Sequence, residues 1–363
     1  MQPNVSDRAR VSHFLTFYLI HSIQVGVGIL GFQRYIAQYA GYDAWISIIV
    51  TAALFHLIIW IMYKMLNKSK GDLVSIHRDL FGKWLGGLFS SLFIIYFIMQ
   101  ATSILQTFII IIQVWLFPDM STWHFALIYL SLVYYAVSFG FRGVGGVCFF
   151  GVVIPFYLIV TLIPPLYYGD FRHVLPMFTH SIQDIMAAVK QMTYSFLGIE
   201  VLLIFYPYLK NPEKSQKWSH YANLYTTFLY LLVAFSAFVY YSEAKLAHTI
   251  WATLTMWKIV SLPVLERFEV IGITTWVIVI LPNICLLVWS ASRVAKRIST
   301  IRQKTFLPLI LVLMYIPICL IDDLEKIYKL TDITGRIGFY IVYAYIPLIA
   351  CIYLIMKKVR KSA

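Results

Sequence analysis

Glu200 is the one carboxylate that lies deep inside an apolar run of this chain. It sits in the stretch 192–214, after Ser195-Phe196-Leu197-Gly198-Ile199. A carboxylate at membrane depth costs at least about 2.5 kcal/mol, and a polar partner or a water-filled pathway usually accounts for it. Two chemistries fit Glu200. It binds a proton, a cation or the ammonium of a ligand, or it accepts backbone N–H bonds and pins an interrupted helix. Gly198 lowers helix propensity at the same level. A second interruption stands at Gln24-Val-Gly-Val-Gly-Ile-Leu-Gly31, where Gly26, Gly28 and Gly31 weaken a helix and let backbone approach a ligand closely. A small-residue packing face of the G-x-x-x-G kind would need a spacing of four, and these glycines are two and three apart.

Backbone N–H and C=O groups freed by such breaks must be satisfied within the membrane. A small zwitterion can do so, with its carboxylate at a half-helix N-terminus and its ammonium on exposed carbonyls. Gly26, Val27 and Gly28 are therefore candidate ligand contacts, with Ser195, Phe196, Leu197 and Gly198 as their counterparts. Pro282 frees a further carbonyl, and Asn283 beside it either touches the ligand or ties helices together. His21 and His56 read as hydrogen-bonded packing residues. No catalytic constellation stands out, so an enzyme is not expected. No His, Cys or carboxylate cluster has metal-ligand spacing, and no cofactor is implied. The four cysteines fall in apolar runs without a C-x-x-C pair, which indicates neither a disulfide framework nor a zinc site.

The elements that must position these residues are membrane helices. The chain has 363 residues, 61% hydrophobic and 12% charged, against about 25% charged in soluble domains. Its net charge of +13 does not point to nucleic acid, because the basic residues form short clusters between apolar runs. At about 20 apolar residues per span, ten spans are expected, near 11–36, 43–66, 87–117, 123–140, 146–168, 184–208, 218–242, 268–293, 305–321 and 335–356. The first run is too long for a signal-peptide core and reads as a retained span. With both termini in the cytoplasm, the inner side holds 20 basic residues and four acids, and the outer side nine and 11. That asymmetry supports the count and the orientation. Residues 251–260 read as an extracytoplasmic interfacial helix. The broken spans are the first and sixth, the pair expected if 11–168 and 184–356 are inverted repeats of a single domain.

These residues carry a resemblance. Phe196-Leu-Gly-Ile-Glu200 followed by Lys210-Asn-Pro-Glu-Lys214 is similar to the sixth-helix signature of the amino acid–polyamine–organocation transporter superfamily. Gly26-Val-Gly-Ile29 looks like its first-helix unwound motif. Tyr206-Pro-Tyr-Leu-Lys-Asn-Pro212 and Pro263-Val-Leu-Glu-Arg-Phe-Glu269 resemble the GerAB-type spore germination permeases, the B subunits of nutrient germinant receptors. The resemblance implies an all-α, LeuT-like fold in the inner spore membrane, in contact with lipid. It implies receptor partners, an A subunit and a C-subunit lipoprotein, and sensing of a small germinant. The third helix of that fold lines the central site, which adds Tyr96 and Gln100, four apart on one helical face, unless they serve interhelical hydrogen bonds. A small neutral amino acid is the expected ligand. Thr274 and Thr275 lie near the outer end, and Ser290 and Ser292 near the inner end, for a sodium site with the first break; the coupling ion stays open, with proton coupling or none as readings. The alternatives are a secondary amino acid transporter and an ion or water conduit within the receptor.

Overall fold

A computed structural model describes residues 5–260, 267–321 and 323–362. Residues 263–266 of the second family motif, and Asp322, lie outside the described residues. The chain is helical almost throughout. Among the described residues, the strands Val11–Ser12 and Leu209–Lys210 form one two-residue parallel pair.

The glycine-rich run near the N-terminus does interrupt its helix. α1 (Thr16–Gln24) ends where Val25 turns extended, and α2 (Phe32–Ala40) begins after Gly31. Between them lies a short 3-10 turn, Val27–Leu30. Gly31 is required by space, because a Cβ there would stand 2.3 Å from the Ile250 carbonyl oxygen. α3 (Trp45–Ser69) follows, then α4 (Leu73–Trp115), kinked at Gly82, whose φ is +77°. α5 (Thr122–Ser138), α6 (Phe141–Val153) and α7 (Ile163–Tyr168) complete the first half, with the last two joined by the 3-10 segment Ile154–Leu162.

The sixth apolar run breaks as well. α8 (Ile182–Phe196) stops at Leu197, which is extended, and Gly198 takes φ +110°. The chain resumes at Ile199–Val201 and α9 (Leu202–Phe205), bent by 50° from α8. A Cβ on Gly198 would meet Ile23 Cγ1 at 2.5 Å, so the sixth-run break packs directly on the last turn of α1. α10 (Gln216–Tyr240) leads to the short helices α11 (Glu243–His248) and α12 (Ala252–Trp257); α12 falls within the stretch read as an interfacial helix. α13 (Phe268–Ile298) carries Pro282 and packs most extensively on α4. α14 (Gln303–Leu320), α15 (Leu324–Tyr340) and α16 (Ile346–Ser362) end the chain, with a π-helical turn at Ile341–Tyr345.

Among the described residues, seven helical stretches are long and apolar enough to cross a membrane, and the bent pair at Gly198 makes eight. Ten spans were expected, and the difference has two sources. The first run is divided into two nine-residue helices. α5 has 17 residues, about 25 Å at the α-helical rise, just under a bilayer core of about 30 Å.

Candidate functional site

The two breaks face one cavity of about 550 Å³. Its floor is the glycine turn of the first run and the end of α8. α4 contributes Gln100, Ser103 and Thr107; α15 contributes Tyr328, Thr331 and Asp332; Trp251 precedes α12, and Asn283 comes from α13. Gly26 and Val27 are partly open and Gly28 is exposed, although they lie in the middle of an apolar run. A Cβ on Gly28 would stand 3.2 Å from Ser195 Oγ, so the two breaks meet across this point.

The neighbouring helices satisfy the carbonyls that the first break frees. Asn283 Nδ2 donates to the carbonyls of Ile23 (3.2 Å) and Val25 (3.4 Å). Trp276 Nε1 donates to Gly26 at 3.2 Å, and Thr253 Oγ1 to Ile29 at 2.8 Å. Tyr230 bridges the breaks, its hydroxyl lying 3.0 Å from the Gln24 carbonyl and 3.2 Å from that of Ser195. The expected seat for a ligand ammonium on bare carbonyls is therefore largely occupied. A freed carbonyl inside a membrane must find a donor, and side chains of α10, α13 and the Trp251–Trp257 region supply it here.

Gly26, Val27, Gly28, Gln100, Ser195, Leu197 and Asn283 line the cavity. Four other expected site residues are placed differently. Tyr96 turns away from the cavity and donates to Glu200 Oε1 at 3.1 Å. Phe196 is fully buried, packed between Phe55 and Tyr230 at ring-centroid distances of 5.4 and 5.3 Å. Gly198 backs onto Ile23. Glu200 is fully buried and accepts the Gly198 N–H at 2.7 Å. Its carboxylate thus closes the turn that follows the break and anchors it to α4, which is the geometry of the pinning reading.

The sequence reading missed Arg34, Tyr35, Tyr194, Tyr328 and Asp332 as lining residues. Arg34 stands near the start of α2, at the outer end of the expected first span, and Asp332 midway along α15, in a stretch expected to be an outer connection, so both counted only as outer-side charges. Asp332 pairs with Arg336 at 2.9 Å. Gln24, in sequence only a flank of the glycines, lines the cavity and donates from Nε2 to Asn223 Oδ1 at 3.0 Å. Among the described residues, no group of three His, Cys, Asp or Glu side chains could hold a metal ion.

A helical membrane protein with two helix breaks around a central cavity has the architecture of a LeuT-like permease. One solved structure, a substrate-bound, outward-open Na+-coupled sialic acid symporter, is similar with a TM-score of 0.64 over 90% of this chain and 77% of that one, at 14% identity. The likeness is one of fold. The chain belongs to the spore germination protein family of permeases, whose family model matches residues 10–327. It is 42% identical to spore germination protein GerQB of Bacillus cereus over 97% of this chain and 98% of that protein. It is 21% identical to spore germination protein YndE of Bacillus subtilis over 98% of both chains. Spore germination protein A2 of the same organism is also 21% identical, over 90% of this chain and 91% of its own length.

Proposed function

We propose that this protein is the ligand-binding integral membrane subunit of a spore nutrient germinant receptor. The observation that carries this reading is the cavity at the meeting point of the two breaks, in a chain whose relatives are spore germination proteins. A small germinant, an amino acid in the first instance, enters between α2, α4, α8 and α15 and contacts Gly26, Val27, Gly28, Ser195 and Leu197. Its binding biases the two half-bundles, roughly 11–168 and 184–356, between two arrangements. It can do so only by its difference in affinity for them. An A subunit and a C-subunit lipoprotein in the inner spore membrane read the change, with both termini of this chain in the cytoplasm. Glu200 serves as the pin of the sixth-run break and not as a ligand contact.

A second reading, a secondary amino acid transporter, is favoured by the fold shared with a symporter. Purified protein in liposomes separates the two when a labelled panel of amino acids, sugars and nucleosides is tested for binding and uptake. Saturable binding without flux above protein-free liposomes supports the receptor. Saturable flux that Gly26→Val abolishes makes it a transporter.

A further inference from the structure

A second hollow lies behind the first break. It is a cleft of about 70 Å³ between α1, the 3-10 segment Ile154–Leu162, α10 and α13. A 3-10 coil is wound more tightly than an α-helix and rarely runs beyond about four residues. Here it runs for nine residues, with Pro155 near its start, and the slimmer coil leaves the space. Val25 and Ile29 line the cleft, whereas Gly26, Val27 and Gly28 line the central cavity. The break is therefore a wall one chain thick, with a hollow on either side. Trp276 and Thr253, the donors to the Gly26 and Ile29 carbonyls, belong to the cleft lining as well.

Charge, hydrogen bonding and surroundings together select the occupant. Among the described residues lining the cleft, none is Asp, Glu, Lys or Arg. Its buried polar side chains are already engaged. His21 Nδ1 lies 2.8 Å from Thr226 Oγ1, and Ser22 donates to the Tyr18 carbonyl. Thr161 Oγ1 donates to the Leu158 carbonyl at 2.6 Å and accepts from Trp257 Nε1 at 3.0 Å. A buried water needs two to four polar partners, so the cleft suits hydrocarbon better than water. Its flank is apolar and open: Phe156 of the lining is 61% exposed, and Leu224 and Phe228, beside the lining residues Tyr225 and Leu229 on α10, are 59% and 58% exposed. In an integral membrane protein such side chains face the acyl chains. A gap left empty there forfeits the dispersion contacts of its walls. At about 10–15 Å³ for each water-sized group, the space takes a handful of methylenes, and the lining offers no cation to a phosphate headgroup.

We infer that this cleft is a binding site for the end of one lipid acyl chain, which backs the first break from the side opposite the cavity. The test places the full chain in liposomes of phosphatidylcholine bearing a diazirine at the end of one acyl chain. After irradiation and digestion, adducts are located residue by residue. Val25 and Ile29 are the diagnostic positions, because both are buried behind the lipid-facing surface and line the cleft. Leu224 and Phe228 report ordinary contact with the bilayer.

The expected result is labelling of Val25 or Ile29 beside that of Leu224 and Phe228. Leu229→Trp, which fills the cleft from α10, cuts the inner adducts severalfold and leaves the surface adducts unchanged. Val152→Phe does the same from α6. Thermal melting before irradiation shows that each variant is folded, and where Leu229→Trp is not, Val152→Phe decides. Labelling of Leu224 and Phe228 with none at Val25 or Ile29 overturns the inference. So do inner adducts that the folded variants leave undiminished.

Discussion

Tyr96 on α4 donates a hydrogen bond to Glu200, 104 residues further along the chain, across 3.1 Å in the fully buried interior. The same carboxylate accepts the Gly198 N–H at 2.7 Å. One acid thereby ties the sixth-run break to the helix beside it. Glu200→Gln keeps one acceptor oxygen but sets an amide NH2 against one of the two donors. The expected outcome is a loss of about 1–3 kcal/mol, read as a lower melting temperature, with weaker ligand binding at every pH. A coupling role for Glu200 gives instead an unchanged melting temperature and an altered pH dependence. Tyr96→Phe, which deletes one donor, loses about 0.5–1.5 kcal/mol.

The glycines around the breaks separate by the space each one has. Gly198→Ala places a side chain at φ +110° and 2.5 Å from Ile23; backbone strain of this kind costs about 1–3 kcal/mol, before the clash is counted. Gly28→Ala meets Ser195 Oγ at 3.2 Å and is expected to weaken ligand binding with a smaller effect on melting. Gly146→Ala on α6 has open space around its Cβ and serves as the control, neutral or slightly stabilising by less than about 1 kcal/mol. Thermal melting beside ligand titration reads all three.

At the other end of the bundle, Arg297 near the end of α13 binds Asp72, which caps α4, at 2.8 Å. The Asp72 side chain is 2% exposed and that of Arg297 13%. Removing one member of a buried pair costs about 3–5 kcal/mol because the other is left without compensation. Asp72→Ala is therefore expected to lower the melting temperature far more than disruption of the exposed Arg10–Asp7 pair, where surface pairs contribute about 0–1 kcal/mol.

The breaks were legible because glycine and a lone carboxylate are conspicuous in apolar runs. Gly26, Gly28, Gly31, Gly198 and Glu200 marked them without any knowledge of their neighbours. The groups that satisfy them were not legible. Trp276, Tyr230 and Thr253 read as ordinary members of their helices, and only packing brings them to the freed carbonyls. Tyr96 and Gln100 share a helical face by spacing, yet one bonds Glu200 and the other lines the cavity. Their side-chain directions depend on what α4 packs against. Arg34 stands near the start of α2 and Asp332 in a stretch outside the expected spans, where charge is routine, so composition gave no reason to set them on a cavity wall.

The central claim is that ligand binds where the two breaks meet, and paired cysteine labelling tests it most directly. Ser195 lines the cavity and is partly open, whereas its neighbour Phe196 is fully buried. Ser195→Cys and Phe196→Cys are made in a background lacking Cys148, Cys285, Cys319 and Cys351 and treated with a water-soluble methanethiosulfonate. The account predicts that Ser195→Cys is modified and that modification abolishes binding of the compound identified in liposomes. That compound, added first, slows the labelling, and Phe196→Cys does not react. Full modification of Ser195→Cys with ligand binding unchanged would contradict the account.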